Sequence, residues 1–456
     1  MVAPAPRIRL GGRGRLCPAD RSAALQAPDV RRDPRAGRRL SRRDRRCLSR
    51  EAPRPAARDR YQGARREPFG RDAVSWLRDR KAYEQEELAR LAPCAVKSAE
   101  SRGRLEGEAE HLYRTVFQRD RDRIVHCRAF RRLEYKTQVF VHHEGDHYRN
   151  RLTHTLEGAQ IGRTLARALR LNEDLAEAIA LSHDMGHTPF GHAGERVLAE
   201  LMRNEGGFDH NRQTLRVVDL LEERYPGFRG LNLTSETREG ILKHGCHWSH
   251  PVAVPGWRHQ RSLEAQAADV ADEIAYTNHD LDDGLHSGIL NPEMLEDLTL
   301  WREARERALE RVSADDEPLV RTQTIIALIN ALVTDVIEST AKRLARVEPP
   351  SVDAVRETAE PLLGFSEQTG DAKIRLKRFL SDNFYHHPRV RGATERAELI
   401  VKDLFRAYVE NPSLLPDRAR DRCEQDGELR AIADHIAGMT DRYAMEVHGE
   451  VTRGSR

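Results

Sequence analysis

The chain has 456 residues, 39% hydrophobic and 33% charged, with a formal net charge of +3. That length holds one large domain or two ordinary ones, and no run of about 18 apolar residues marks a membrane span. Six scattered cysteines (Cys17, Cys47, Cys94, Cys127, Cys246 and Cys423) form no C-x-x-C pair, which argues against a disulfide framework or a Cys-type zinc site and fits a reducing cytoplasm.

The charge is unevenly spread. Residues 1–70 hold 20 Arg, no Lys and seven Asp or Glu, a net +13, so the rest of the chain carries about −10. The stretch "RRDPRAGRRLSRRDRRCLSREAPRPAARDR" has no apolar periodicity and reads as a disordered tail. A basic arm of this kind can bind single-stranded nucleic acid, but no aromatic side chains are interleaved in it as stacking partners. It lacks the apolar core of a secretory signal. Arg without Lys points to GC-rich codons translated upstream of the true start. Mass spectrometry of the native N-terminus tests this, and a peptide from residues 1–60 would refute it.

From residue 71 the pattern is that of one helical domain. "YKTQVFVHHEGDHYRN" (135–150) is the strand-hairpin candidate, with a turn near Glu144-Gly145-Asp146. "RNRLTHTLEGAQIGRTLARAL" (149–169) is amphipathic, with Leu152, Leu156, Ala159 and Leu165 near one side. "RTLARALRLNEDLAEAIALSHD" (163–184) reads as helix–turn–helix, with Asn172 as N-cap and Glu173 and Asp174 in the first turn. In "SLEAQAADVADEIAYTNHDLDDGL" (262–285), Leu263, Ala267, Val270, Ile274 and Leu281 form a stripe of helical period. "RTQTIIALINALVTDVIESTAKRLARV" (321–347) is apolar on more than one face and is expected to be buried. Helical period recurs over 401–412 and 427–448. There is no internal repeat and no Walker-type glycine loop.

The segment "ALSHDMGHTPFGHAGE" (180–195) packs three His, one Asp, one Glu and three Gly into sixteen residues. His183 and Asp184 end a helix that Gly186 and Pro189 then break. Imidazole nitrogen and carboxylate oxygen are both ligands for divalent metals. Two ligands do not hold an ion well, so others are sought. His154 lies on the 149–169 helix, one turn after Arg151. On the far side of the 262–285 stripe lie Asp269, Asp272, Tyr276 and Asp280, and the last three stack at i, i+4, i+8. Such a face is either solvated or functional. Ala265, Ala268, Ala271 and Ala275 flank it with small side chains, which suits a wall that something approaches closely.

The order His154, His183-Asp184, Asp272 resembles the H…HD…D signature of HD metal-dependent phosphohydrolases. Five blocks make the resemblance specific to the deoxyguanosine-triphosphate triphosphohydrolase family: "FQRDRDRIVHCRAFRRLEYKTQVF", "NRLTHTLEGAQIGR", "LSHDMGHTPFGHAGE", "EAQAADVADEIAYTNHDLDDG" and "FYHHPRV". They cover roughly residues 71–456 in family order, and the Arg-rich tail lies outside them.

This resemblance implies an all-α fold apart from the small hairpin near 135–150. It implies an HD core over about 150–285 and a helical C-terminal region over about 290–456. The implied reaction is hydrolysis of a deoxynucleoside triphosphate to deoxynucleoside and inorganic triphosphate, by a homo-oligomer, often a tetramer or hexamer. His154, His183, Asp184 and Asp272 would bind a divalent ion (Mg, Mn or Fe) that polarises phosphoryl oxygens or lowers the pKa of water. His192, Glu195 and His210 would form the acid–base group that protonates the leaving 5′-oxygen. His187 is an outer-sphere partner of a metal ligand or a phosphate contact, or else plain helix-end packing. Arg151, Lys243 and Arg389 are the expected phosphate contacts. Tyr276 against C2′ and Asp280 on the 3′-hydroxyl would exclude ribonucleotides.

Three other readings compete. His183 and His187 share the spacing of H-E-x-x-H zinc proteases, but Asp replaces the Glu and the helix is broken. Another HD phosphohydrolase, acting on monophosphates, cyclic nucleotides or alarmones, would lack the Asp272, Tyr276, Asp280 column and the "FYHHPRV" block. A non-catalytic nucleotide- or nucleic-acid-binding protein would not need all four metal positions filled.

Overall fold

The computed structural model describes residues 76–138, 149–242 and 259–454. They fall within one compact unit, Val74–Arg456. The tail over 1–70 lies outside the described residues. The fold is all-α: among the described residues there are no strands, only isolated bridges joining Arg104 to Thr234, Thr137 to Asn150 and Glu223 to Gly230. The antiparallel Thr137–Asn150 bridge stands where the hairpin was expected to begin and end. Residues 139–148 between them, with the expected turn, lie outside the described residues.

The helices that build or support the candidate site are, in chain order, α1 (Arg151–Ala168), α2 (Glu173–Ser182), α3 (His192–Leu201), α4 (His210–Arg216), α5 (Leu263–His286), α6 (Glu317–Val347), α7 (Pro388–Glu410) and α8 (Asp441–Gly454). Their starts follow from local chemistry. Asn150 accepts a hydrogen bond from the Thr153 N–H at 2.9 Å, and Asn172 accepts one from Leu175 at 3.1 Å, each satisfying a first-turn donor. Glu173 and Asp174 then sit at the positive end of α2.

Helices α1, α2 and α5 pack together as the centre of the domain. A seam of small residues brings α1 against α5. A Cβ added to Gly158 would stand 3.8 Å from Ala275 Cβ, and one added to Gly162 would stand 3.6 Å from Ala271 Cβ. The alanines flanking the polar face of α5 thus receive the backbone of α1. That close approach carries the ligand-type side chains of both helices to one place. The apolar stripe Leu263, Ala267, Ile274 and Leu281 is buried on the other side. Asp280 is also fully buried, whereas Asp269, Asp272 and Tyr276 are partly buried, so this polar face is only partly solvated.

A second core gathers around α2, with Phe117, Ile124 and Leu133. A third lies between α3, α7 and the C-terminal helices, with Val197, Leu198, Val401 and Leu404. The period over 427–448 splits into two helices, Glu428–Ala437 and α8, and the period over 401–412 is the end of α7.

Helix α6 departs from expectation. Only one stripe, including Val320, Leu328, Leu332 and Val336, is buried, whereas Leu319 and Ile326 are each 43% exposed. Its length and apolar composition would suffice to cross a membrane, but the stripe packs into the core beside Trp301 and Leu376.

Candidate active site

His154 lies in the first turn of α1, His183 caps the C-terminus of α2 with Asp184 next to it, and Asp272 projects from α5. Their donor atoms converge. His154 Nε2 is 3.0 Å from Asp272 Oδ1, His183 Nε2 is 3.3 Å from the same oxygen, and His183 Nε2 is 3.2 Å from Asp184 Oδ1. Both histidines and Asp184 are buried, at 4% exposure or less.

Neighbouring groups decide which nitrogens carry protons. His183 Nδ1 lies 2.6 Å from the Ala180 carbonyl, so Nδ1–H donates there and Nε2 presents a lone pair. His154 Nδ1 is 3.1 Å from His279 Nδ1, and His279 Nε2 pairs with Glu157. Burial pushes the Glu157 carboxyl up, but the His279 hydrogen bond and the Arg149 charge outweigh it and hold it below the usual range. Burial holds the His279 imidazole below its ordinary value, so the ring is neutral. Its Nε2–H therefore donates to Glu157 and its Nδ1 accepts from His154 Nδ1–H. His154 Nε2 is then also a lone-pair donor. His154 Nε2, His183 Nε2 and a carboxylate oxygen of Asp272 thus lie within 4.8 Å of one another, with Asp184 beside His183, an arrangement that a divalent cation stabilises. Nitrogen and oxygen donors of this kind could hold a divalent cation, and both histidines have an outer hydrogen bond that fixes the ring.

Asp184 links this cluster to a second one. Its Oδ2 accepts from Arg151 Nη1 at 2.8 Å, and its Oδ1 is 3.2 Å from His187 Nε2. Burial pushes the Asp184 carboxyl up, but the neighbouring His183, the Arg151 guanidinium and His187 outweigh this and hold it well below the ordinary range. The His187 ring stacks on His210, with centroids 4.1 Å apart and planes 14° apart. Burial and the nearby charge of Arg151 hold His187 well below its ordinary value. A neutral ring can therefore lie flat on His210 without placing two cations face to face.

His210 Nδ1 is 2.7 Å from Glu195 Oε1, and His192 Nδ1 is 2.9 Å from Glu195 Oε2. Glu195 also accepts the His210 backbone N–H at 2.9 Å. Burial raises its pKa, but the hydrogen bonds from His192 and His210 outweigh that and drive it far below the usual carboxylate value. A charged Glu195 thus orients His210 with Nε2 turned away. Two glycines make the juxtaposition possible. A Cβ on Gly186 would come within 2.1 Å of Thr214 N and 2.3 Å of the His210 carbonyl, so the loop after Asp184 packs directly on the backbone of α4. Gly191 has φ 56°, and a Cβ there would meet Arg151 Nη2 at 2.8 Å.

The remaining expected residues are placed less uniformly. Asp280 lies two turns beyond Asp272, and its Oδ2 accepts from the Tyr385 hydroxyl. Burial pushes its carboxyl up to about 7. The rings of Tyr276 and Tyr385 stack with centroids 6.5 Å apart. Arg389 is exposed, and its guanidinium donates to the Ser287 carbonyl at 3.3 Å, beside the C-terminal end of α5. Lys243 lies outside the described residues. Tyr385, His279 and Glu157 were not among the expected site residues. Each had a signal: Tyr385 stands in "FYHHPRV", His279 precedes Asp280, and Glu157 is three residues after His154.

The HD domain family matches residues 151–277 and the phosphohydrolase-associated domain family matches residues 363–450. A protein of Ralstonia nicotianae is 53% identical over 369 residues, covering 79% of this chain and 94% of that protein. One from Geobacter metallireducens is 50% identical, with 79% and 94% covered, and one from Bordetella pertussis is 51% identical, with 78% and 95% covered. All three are called deoxyguanosinetriphosphate triphosphohydrolase-like proteins. With its HD domain and these relatives, the chain belongs to the deoxyguanosinetriphosphate triphosphohydrolase-like family of HD hydrolases.

Proposed function

We propose that this chain hydrolyses deoxynucleoside triphosphates to deoxynucleoside and inorganic triphosphate. The observation that carries the reading is the junction of the two clusters: Asp184 lies among the lone-pair donors and also beside His187, whose ring stacks on His210. A metal site and a charged acid–base group thus share one wall. Hydrolysis between the α-phosphorus and the 5′-oxygen needs both, because an alkoxide leaves poorly unless it is protonated.

A divalent ion held by His154, His183, Asp184 and Asp272 would polarise the phosphoryl oxygens and acidify water. The water oxygen joins the α-phosphorus and releases its proton to solvent, and the bond from that phosphorus to O5′ breaks. His210 gives its Nε2 proton to O5′, and Glu195 orients His210 through Nδ1. His192 shares Glu195 and is the second proton carrier. Arg151, fixed by Asp184, faces the triphosphate, and His187 holds the metal cluster in register with His210. Lys243 and Arg389 are the further phosphate contacts. Asp280 is buried beside Tyr385 and Tyr276, a carboxyl that suits the sugar 3′-hydroxyl, and Tyr276 with Tyr385 closes the space at C2′.

The names of the relatives support a dGTP-like substrate, and the family resemblance supports a homo-oligomer. A product assay tests the reading. Each dNTP and NTP is incubated with the protein and Mg or Mn, singly and in mixtures, and the products are separated. Deoxynucleoside with intact triphosphate is expected. Monophosphate with pyrophosphate, or stepwise phosphate loss, would reject it in favour of another HD hydrolase.

A further inference from the structure

We infer that Asp441, in the C-terminal phosphohydrolase-associated region, is a positioning residue for the acid–base group. The inference rests on the reading of His192, Glu195 and His210 given above. Asp441 opens α8 and is 2% exposed. Its Oδ1 accepts the Phe190 N–H at 2.8 Å, and its Oδ2 accepts the Thr137 N–H at 2.9 Å and the Thr137 hydroxyl. Lys136 ties the same pieces together: its Nζ donates to the His187 carbonyl and, at 2.8 Å, to the Ala437 carbonyl.

What these bonds hold is a strained loop. Phe190 has φ 61° and Gly191 has φ 56°. Glycine adopts such values freely, but a phenylalanine does so only where its surroundings over-determine it. The Phe190 side chain is buried and its N–H is claimed by Asp441. The next residue after Gly191 is His192, the first of α3, and Glu195 follows one turn later. The direction in which the chain leaves Phe190 therefore sets where Glu195 meets His210. Only an acceptor with two oxygens serves both Phe190 and Thr137. An asparagine would present an N–H₂ to one of two backbone donors. The C-terminal region, remote in sequence, is in this way part of the active-site scaffold.

The test uses full-length protein and four variants. Asp441→Ala removes the carboxylate, and Asp441→Asn keeps its shape with one acceptor. Asp403→Asn neutralises the α7 carboxylate that lies 3.0 Å from His448 of α8, away from the loop. His210→Ala probes the underlying reading. Metal content, unfolding midpoint, kcat and KM for a dNTP are measured well below the midpoint. Asp441→Ala is expected to lower kcat about 30-fold or more with KM within about threefold and metal retained, since a misplacement of about 1 Å can cost that much. Asp441→Asn is expected to lose about five- to tenfold, and Asp403→Asn to stay within about twofold even if its midpoint falls. A merely structural role would move the midpoint alike in both positions without separating their kcat values. Wild-type kcat in Asp441→Ala, or loss of kcat only in step with loss of metal, would overturn the inference. If Asp441→Ala does not fold, Asp441→Asn decides, and wild-type kcat there overturns it. Undiminished turnover in His210→Ala would instead reject the acid–base reading itself.

Discussion

His154 and His183 hold their rings by different means. His183 donates Nδ1–H to the main-chain carbonyl of Ala180, which no side-chain substitution removes. His154 depends on His279, backed by Glu157. His279→Leu should therefore weaken metal retention by about 10- to 100-fold, the usual range for outer-sphere partners. Dialysis against a chelator followed by elemental analysis measures this, and unchanged retention would show that His154 needs no such support. His183→Ala should lose both metal and turnover, whereas His210→Ala should keep the metal and lose about 100-fold or more in turnover. Near wild-type rates in His210→Ala would assign the leaving-group proton to another residue. Tyr276→Ala should lower the preference for dGTP over GTP, and an unchanged ratio would remove it from the sugar gate. At this scale the grouping of polar side chains was legible where they stand close in sequence, as in His183-Asp184 and His192 to Glu195, which lie 3.2 Å and 2.9 Å apart. Tyr385 was not singled out because its partner, Asp280, comes from a helix about a hundred residues away.

The helices show a similar division. The alanines flanking the polar face of α5 could be read from sequence, but the element that fills the space, the glycine edge of α1, could not. Gly186 illustrates the stakes. A Cβ there would collide with the backbone of α4 rather than with a movable side chain. Gly186→Ala should cost more than about 3 kcal/mol or prevent folding, since main chain must shift. A denaturant midpoint equal to wild type would show that α4 can yield. Glu264, in the first turn of α5, gives the helix assembly a pH dependence. Its Oε1 accepts the Val96 N–H at 2.9 Å and the Asn172 N–H at 3.1 Å, and burial pushes its pKa up to about 7. A carboxyl raised on folding binds its proton more tightly in the folded state. Its stabilisation is complete below the unfolded pKa and is lost as pH rises through about 7. Glu264→Gln keeps the Oε1 acceptor and cannot ionise. Its stability relative to wild type should rise by about 3 kcal/mol between pH 4 and 8. Parallel pH curves for the two proteins would contradict this.

At the scale of the whole molecule, the helical class and the order of the metal-type residues were legible, because the H…HD…D spacing ties three helices together. The contribution of the C-terminal region was not. Asp441 looks like an ordinary first-turn acid of a helix, and only the fold places it against Phe190. The apolar faces of α6 were equally ambiguous. Periodicity records that Leu319 and Ile326 are apolar but not whether they meet core, solvent or a second chain. The central claim is that one chain brings a metal cluster and a proton-donating histidine to the same phosphorus–oxygen bond. Running the dNTP reaction in ¹⁸O-labelled water and weighing both products tests it most directly. One ¹⁸O in inorganic triphosphate, with an unlabelled deoxynucleoside, is the predicted result. Label in the 5′-hydroxyl of the nucleoside, or label in a nucleoside monophosphate released with pyrophosphate, would contradict it.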